Sequence, residues 1–131
     1  MPIVIAQKRN SEYNNKIGIK YHYPYRYWSL ISEGVQFVYY HPKEDSDSDS
    51  YYFGHGRIGA ITRDTTSVDN RYAEIVKYTQ FSKRVPHKIG ATYVEDGIAN
   101  VTRKQPPFQK SVRLIDQHAF DLILSLADLD V

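Results

Sequence analysis

Cysteine is absent from this chain of 131 residues, which excludes disulfide bonds, thiolate metal sites and cysteine nucleophiles. Long apolar runs are missing too, since no stretch approaches the roughly 20 residues that a membrane-spanning helix needs. The short run Ile3–Ala6 is too brief for the apolar core of a signal peptide. We therefore expect a soluble cytoplasmic protein with one domain over residues 1–131, folded at about 17–126.

Metal-binding and cofactor motifs are also lacking. Four histidines, His41, His55, His87 and His118, do not have the spacing of a metal site. The acidic segment 43–50 alternates aspartate with serine, but it lacks the glycine and the final glutamate of a calcium-binding loop. We expect neither a metal nor a cofactor.

Charge of either sign is low in total but unevenly placed. The formal net charge is +2, yet residues 42–50 hold four acids against one lysine, and residues 116–131 hold four acids and no lysine or arginine. The rest of the chain then has sixteen bases and seven acids, a surplus of +9. Such a body can attract a polyanion while a mobile acidic loop at 43–50 stays outside the contact. An ordinary solvated surface with scattered lysines is the alternative.

Aromatic residues are what the sequence has in excess. Five aromatic rings lie within the eight residues 21–28, and two further clusters follow at 37–40 and 51–53. Tyrosine and tryptophan combine a flat apolar face with a polar edge, which suits an interface or a pocket for another flat group. A nucleobase or a cationic group is the ligand that this composition favours.

Periodicity and turn residues predict a small α+β domain. Strands are expected at 3–6, 35–41, 51–62 and 72–81, with bends at the glycines of the third strand and a hairpin around Asp96-Gly97. Pro24 is expected to open a short helix over 25–32, and Asp116 to cap a C-terminal helix. The expected architecture is a small bent, mostly antiparallel β-barrel with a short N-terminal helix and a C-terminal helix.

Several motifs in a fixed order resemble a known family. The chain is similar to an N-terminal module that precedes His-Asn-His (HNH) nuclease domains in bacterial restriction endonucleases. The resemblance spans about residues 21–126. It is carried by Tyr21-His22-Tyr23-Pro24, Arg26-Tyr27, Phe37-Val38-Tyr39-Tyr40-His41-Pro42, Tyr52-Phe53-Gly54-x-Gly56-x-Ile58, Tyr72-Ala73-x-Ile75-x-x-Tyr78-x-x-Phe81, Val85-Pro86 and Ser111-Val112-Arg113-x-Ile115 before Phe120-x-x-Ile123-Leu124.

This resemblance implies a recognition module of the pseudouridine-synthase-and-archaeosine-transglycosylase (PUA) type. Relatives of that class, among them EVE, YTH and SRA modules, fold as a bent β-barrel, and several hold a flipped, modified base in an aromatic pocket. The chain has no HNH nuclease constellation, so we expect a binding module rather than an enzyme. The implied partner is DNA, with or without a modified base, together with an HNH-type nuclease domain or subunit, and RNA binding is a variant of the same interpretation.

Candidate ligand-binding residues follow from the aromatic clusters and the uneven charge. For a bound base, aromatic rings would provide stacking surfaces, and His22 and backbone amides would form hydrogen bonds with the edge of the base. The candidate base-binding residues are Tyr21, His22, Tyr23, Trp28, Tyr39, Tyr52, Gly54 and Gly56. Phosphate contacts would come from Arg57, Arg63, Lys77, Arg84 and Arg113.

Each candidate also has a structural alternative. Trp28 can belong to the core, and Arg113 can be an ion-pair partner, for example of Asp116. His22 can satisfy a buried backbone group instead of reading a base. A second class of function stays open as well, in which the aromatic surface is a dimerisation or protein-interaction face.

Overall fold

The computed structural model describes residues 2–7, 17–42, 50–89, 92–96 and 111–127. The expected mobile loop at 43–50 lies outside the described residues except for Ser50. The strands are β1 Ile3–Ala6, β2 Lys20–Pro24, β3 Gln36–His41, β4 Tyr51–Arg63, β5 Asn70–Pro86, β6 Lys88–Ile89, β7 Thr92–Tyr93 and β8 Val112–Leu114, and the α-helix is α1 Gln117–Leu126. No helix in this part of the chain is long and apolar enough to cross a membrane.

Six of the strands form one curled sheet, a half-barrel with the order β2-β5-β4-β3-β1-β8. All neighbours are antiparallel except β1 and β3, which run parallel. The predicted α+β class with a bent, mostly antiparallel sheet and a C-terminal helix is confirmed at this level. The helix begins directly after Asp116, as predicted, although the Asp116 side chain makes no capping hydrogen bond.

The sheet is buried on both faces because alternate residues of its strands enter two different cores. On β3, Phe37 and Tyr39 face one core, and Val38 and Tyr40 face the other. We call the first the inner core; it also contains Ile3, Ile5, Tyr21, Tyr23, Tyr27, Ile31, Ile58, Ala73, Ile75 and Val112. The second, the helix-side core, joins the sheet to α1 through Val4, Tyr52, Phe81, Val85, Val94, Ile115, Ala119, Phe120, Ile123, Leu124 and Ala127.

The glycines of β4 sit at irregularities of the strand, as the sequence predicted. The register with β5 shifts between Tyr52 and Gly54 and again further along the strand. A Cβ atom on Gly54 would lie 2.7 Å from the ring of Tyr78, and one on Gly56 would lie 3.0 Å from the ring of Phe37. Glycine is therefore needed at these two positions of β4, because aromatic rings of the same chain pack against the backbone where a Cβ atom would lie.

The predicted N-terminal helix is wrong in type and length. Pro24 precedes a single 3-10 turn, Tyr25–Tyr27, in which the amide of Trp28 donates to the carbonyl of Tyr25. Aromatic and β-branched residues are weak helix formers, and a short isolated helix is costly to nucleate. Tertiary contacts of Tyr27 decide the local geometry instead, since its ring lies in the inner core and its hydroxyl accepts the amide of Ser111 at 3.1 Å.

Strand β5 is longer than predicted and changes face in the middle. Lys77 adopts a left-handed backbone conformation with φ of 53°, next to a register shift. Before this point Ala73 and Ile75 face the inner core, whereas Phe81 and Val85 beyond it face the helix-side core. The irregularity at Lys77 explains why neither face of this segment is cleanly apolar in the sequence.

Only the part of the expected hairpin up to Asp96 lies within the described residues. Strands β6 and β7 pair with each other, Lys88 opposite Tyr93, and the chain then forms a 3-10 turn over Val94–Asp96. Gly97 lies outside the described residues. The turn matters because it brings Glu95 to the edge of the helix-side core.

Candidate nucleic-acid interface

An open cavity of about 350 Å³ lies where β1 and β3 end and β4 begins. Strand register creates it, because His41 at the end of β3 lies opposite Tyr51, and Tyr51 lies opposite Pro86 of β5. We call this cavity the aromatic pocket. It is lined by Gln7, Ile17, His41, Tyr51, Phe53, Gln80, Phe81, Ser82 and Arg84.

Four aromatic rings line the aromatic pocket, and three of them contact one another and form what we call its wall. The rings of His41 and Tyr51 are stacked, with centroids 4.8 Å apart and planes within 2°. Phe53 meets Tyr51 edge to face, with centroids 6.3 Å apart. The guanidinium carbon of Arg84 lies 4.1 Å from the centre of the Tyr51 ring, within cation–π range. The wall thus combines apolar ring surface with one permanent positive charge.

The inner core holds the base of this wall in place. Phe53 stacks on Tyr39, with centroids 5.2 Å apart and planes within 3°. The hydroxyl of Tyr39 accepts the amide of Gly18 at 3.1 Å. Tyr78 fills the narrow space between Gly18 and Gly54, at either of which a Cβ atom would lie 2.7 Å from its ring. Tight packing of this kind keeps Phe53 in one orientation.

Neutral polar groups complete the aromatic pocket. Gln7 follows β1, and its backbone N–H donates a hydrogen bond to the carbonyl of Tyr40 at 2.9 Å. Gln80 and Ser82 come from β5 and are exposed. Among the described residues that line the pocket there is no carboxylate. The lining can therefore exchange hydrogen bonds with a polar ring edge, and its net charge is positive.

Most of the predicted base-binding residues lie elsewhere. Tyr21, Tyr23 and Tyr39 belong to the inner core and Tyr52 to the helix-side core, each at most 4% exposed, so no ring face is open for a base in this conformation. Gly54 and Gly56 are covered by aromatic rings of the chain, as described above. The cores use these tyrosines as large, flat apolar groups.

His22 and Trp28, the two other predicted base-binding residues, lie on the β2 side of the fold. Nε2 of His22 is 2.8 Å from Oδ2 of Asp64, and its ring stacks on Tyr72 with centroids 4.4 Å apart. Trp28 lines a different cavity, at the turn between β4 and β5. The structure does not bring either residue to the aromatic pocket.

Of the predicted phosphate-binding residues, only Arg84 lines the aromatic pocket. Arg57 is exposed and donates to the carbonyl of Gly34 at 3.1 Å, Arg63 lines the cavity that contains Trp28, and Lys77 is exposed at the irregularity of β5. Arg113 is buried within the fold.

Arg113 is held by a buried ion pair whose partner is Glu95, not Asp116. Nε of Arg113 donates to Oε1 of Glu95 at 2.5 Å, and Nη2 donates to Oε2 at 2.7 Å. The Tyr52 hydroxyl donates to the same Oε2 at 2.6 Å. Burial lowers the pKa of Arg113, but the hydrogen bonds and charge of Glu95 more than offset this and leave the pKa raised. Arg113 is therefore engaged in holding the 3-10 turn at 94–96 against β8.

Sequence reasoning missed three residues of the pocket wall: His41, Tyr51 and Phe53. Side chains alternate along β4, so Tyr51 and Phe53 lie on the face opposite Tyr52. Because Tyr52 was predicted to line the pocket, Tyr51 and Phe53 were assigned to the other face. The sequence does not show which of these side chains reach a cavity, because that depends on how the strands and α1 pack together.

In comparisons with protein-family models, curated proteins and solved structures, nothing matches this chain. The resemblance to modules that precede HNH nucleases stays a prediction from motifs. Within the described residues, no group of three or more histidine, cysteine or acidic side chains is placed to hold a metal ion.

Proposed function

We propose that this chain is a nucleic-acid-recognition domain that holds one planar base, extruded from DNA, in the aromatic pocket. The observation that carries the proposal is the composition of that pocket: stacked rings, one guanidinium and neutral hydrogen-bonding groups around a cavity of about 350 Å³. Pockets of roughly 300–1,000 Å³ are typical of small-molecule sites.

The energetics of base extrusion are compatible with such a wall. Taking a base out of a duplex costs roughly a few kcal/mol, and less when the base is modified or mispaired. Stacking on an aromatic side chain recovers roughly 1–3 kcal/mol per base. Contacts with Tyr51 and Phe53, together with phosphate contacts outside the pocket, are of the size needed to offset extrusion.

The charge of the pocket favours a base over a cationic ligand. Cages for quaternary ammonium groups present open aromatic faces to the cation. Here a cationic ligand would meet the positive charge of Arg84 beside the Tyr51 ring, and no carboxylate among the described lining residues balances that charge. A neutral heterocycle with donors and acceptors on its edge avoids this repulsion and can pair with the exposed side chains of Gln80 and Ser82.

The motif resemblance supplies the proposed biological setting. We propose a PUA-like module that reads a modified base for a modification-dependent restriction system, in which an HNH-type nuclease domain or subunit performs the cleavage. In this role Arg84 and the other basic side chains near the C-terminal end of β5 contact the phosphate backbone. Such contacts position the duplex without reading its sequence.

A salt titration of duplex DNA tests the proposal. We expect binding at low salt that weakens steeply as salt rises, since phosphate contacts release counterions. Arg84→Ala should weaken binding about tenfold and reduce the salt slope by about one, because it removes one phosphate contact and the cation beside Tyr51. The readout is fluorescence anisotropy of a labelled duplex, with folding of each variant checked by circular dichroism.

The matched control is Arg57→Ala, which removes the same charge from an exposed position that does not line the aromatic pocket. It should change the affinity less than about twofold, as expected for a remote surface charge. Absence of binding at low salt would contradict the proposal and favour a protein-interaction face, which light scattering would reveal as a dimer. Equal losses in the two variants would show that the pocket is not the contact.

A further inference from the structure

A second cavity lies at the other end of the long hairpin, beside the turn at 64–69 that joins β4 to β5. Its volume is about 220 Å³. We call it the hairpin-end cavity. It is lined by Trp28, Arg63, Asp64, Val68, Asn70 and Arg71.

Two guanidinium groups give the hairpin-end cavity its charge. The guanidinium carbon of Arg71 lies 3.6 Å from the centre of the Trp28 ring, which fixes its position. Arg63 is exposed at the end of β4. In the part of the chain that the structure describes, no carboxylate forms an ion pair with either arginine. Their hydrogen-bond donors are therefore available to a ligand.

The one acid in the lining is occupied by other partners. Oδ1 of Asp64 accepts hydrogen bonds from the backbone N–H and the hydroxyl of Thr66, at 2.8 and 2.6 Å. Oδ2 of Asp64 lies 2.8 Å from Nε2 of His22. The hydrogen bonds from Thr66, followed by that of His22, lower the pKa of Asp64, so it remains a carboxylate. Its negative charge is outweighed by the two arginines of the cavity.

Trp28 lines the hairpin-end cavity beside the guanidinium of Arg71. Its indole N–H is buried and is therefore closed to a ligand in the cavity. Asn70 also lines the cavity, and its side-chain amide is a further hydrogen-bonding group beside the two arginines.

We propose that the hairpin-end cavity is a second ligand site, which takes a phosphate group through the N–H donors of Arg63 and Arg71. Arginine donors match phosphate oxygens in a bidentate geometry. This site is separate from the aromatic pocket and does not depend on the function proposed for it. The phosphate can belong to a free phosphorylated small molecule or to a nucleic-acid backbone.

Trp28 is the only tryptophan of the chain, so its fluorescence reports this site directly. The wild-type protein is titrated with inorganic phosphate and, separately, with a short single-stranded oligonucleotide, each against chloride at the same ionic strength. We expect a saturable change of tryptophan emission with at least one of the two probes. Saturation with phosphate alone indicates a small phosphorylated ligand, and saturation with the oligonucleotide alone indicates a backbone contact.

Two variants complete the test. Arg63→Ala should raise the dissociation constant of the responding probe about tenfold, the effect of one charge-assisted hydrogen bond. Arg84→Ala, in the aromatic pocket, should leave this response to phosphate unchanged. No saturable change with either probe, or equal affinity in wild type and Arg63→Ala, would overturn the proposal. Such a failure leaves the aromatic pocket untouched, since duplex binding there is measured separately with Arg84→Ala.

Discussion

Replacing Glu95 by glutamine is expected to lower the free energy of unfolding by about 3–5 kcal/mol, the usual cost of removing one partner of a buried ion pair. The side chains of Glu95 and Arg113 are only 6% and 10% exposed, so the guanidinium cannot regain full hydration. The variant also changes the acceptor of the Tyr52 hydroxyl. Urea unfolding, followed by circular dichroism, measures the difference.

A double variant separates the ion pair from its surroundings. Glu95→Leu combined with Arg113→Met removes both charges and should recover most of the lost stability, because well-packed apolar residues often replace a buried pair without loss. Glu74→Gln is the control, since Glu74 is exposed on β5 and its neutralisation should cost less than about 0.5 kcal/mol. A cost for Glu95→Gln as small as that of the control would contradict the assigned structural role.

Alkaline pH is expected to destabilise the protein strongly through its buried tyrosines. Burial, only partly opposed by the hydrogen bond from the Gly18 amide, raises the pKa of Tyr39 from 10.0 to about 12. Burial, followed by the charge of Glu95, raises the pKa of Tyr52 well above its ordinary value. Because the folded pKa exceeds the unfolded one, the contribution is complete below pH 10 and is lost as pH rises through the folded pKa. For Tyr39 alone the loss is on the order of 3 kcal/mol.

Phenylalanine variants identify the groups responsible. Tyr39→Phe removes one titrating hydroxyl, so the fall in unfolding free energy above pH 10 should become shallower by about 1.4 kcal/mol per pH unit. Tyr25→Phe is the control, because Tyr25 is 65% exposed and its loss should leave the slope unchanged. Urea titrations on both sides of pH 10 provide the slopes. Equal slopes in wild type and Tyr39→Phe would show that Tyr39 does not titrate with unfolding.

The sequence predicted those parts of the fold that local signals determine. Alternation and turn residues located β1, β3 and β4, and the spacing of Phe120 and Ile123 located α1. The irregular positions needed tertiary information. Lys77 takes a left-handed conformation that its residue type does not favour, and Tyr27 ends a predicted helix because its ring enters the inner core.

The candidate site was harder to predict than the fold, for a physical reason. Aromatic rings that fill a core and rings that line a pocket have the same composition, and their difference lies in what covers them. Tyr52 and Tyr51 are neighbours in sequence, yet Tyr52 is buried in the helix-side core, whereas Tyr51 is half-buried and lines the aromatic pocket. Arg84 was the one predicted residue that lines the aromatic pocket, since a charged side chain near the end of a strand tends to remain at the surface.

The most direct test of a base-binding pocket is a titration against duplexes that are identical except at one cytosine or adenine. That base carries no modification, a methyl, a hydroxymethyl or a glucosylated group. We expect one member to bind about tenfold more tightly than the others, and Tyr51→Ala to abolish the preference by removing roughly 1–3 kcal/mol of stacking. Uniform affinity across the panel, or a preference that survives Tyr51→Ala in a folded protein, would contradict the account.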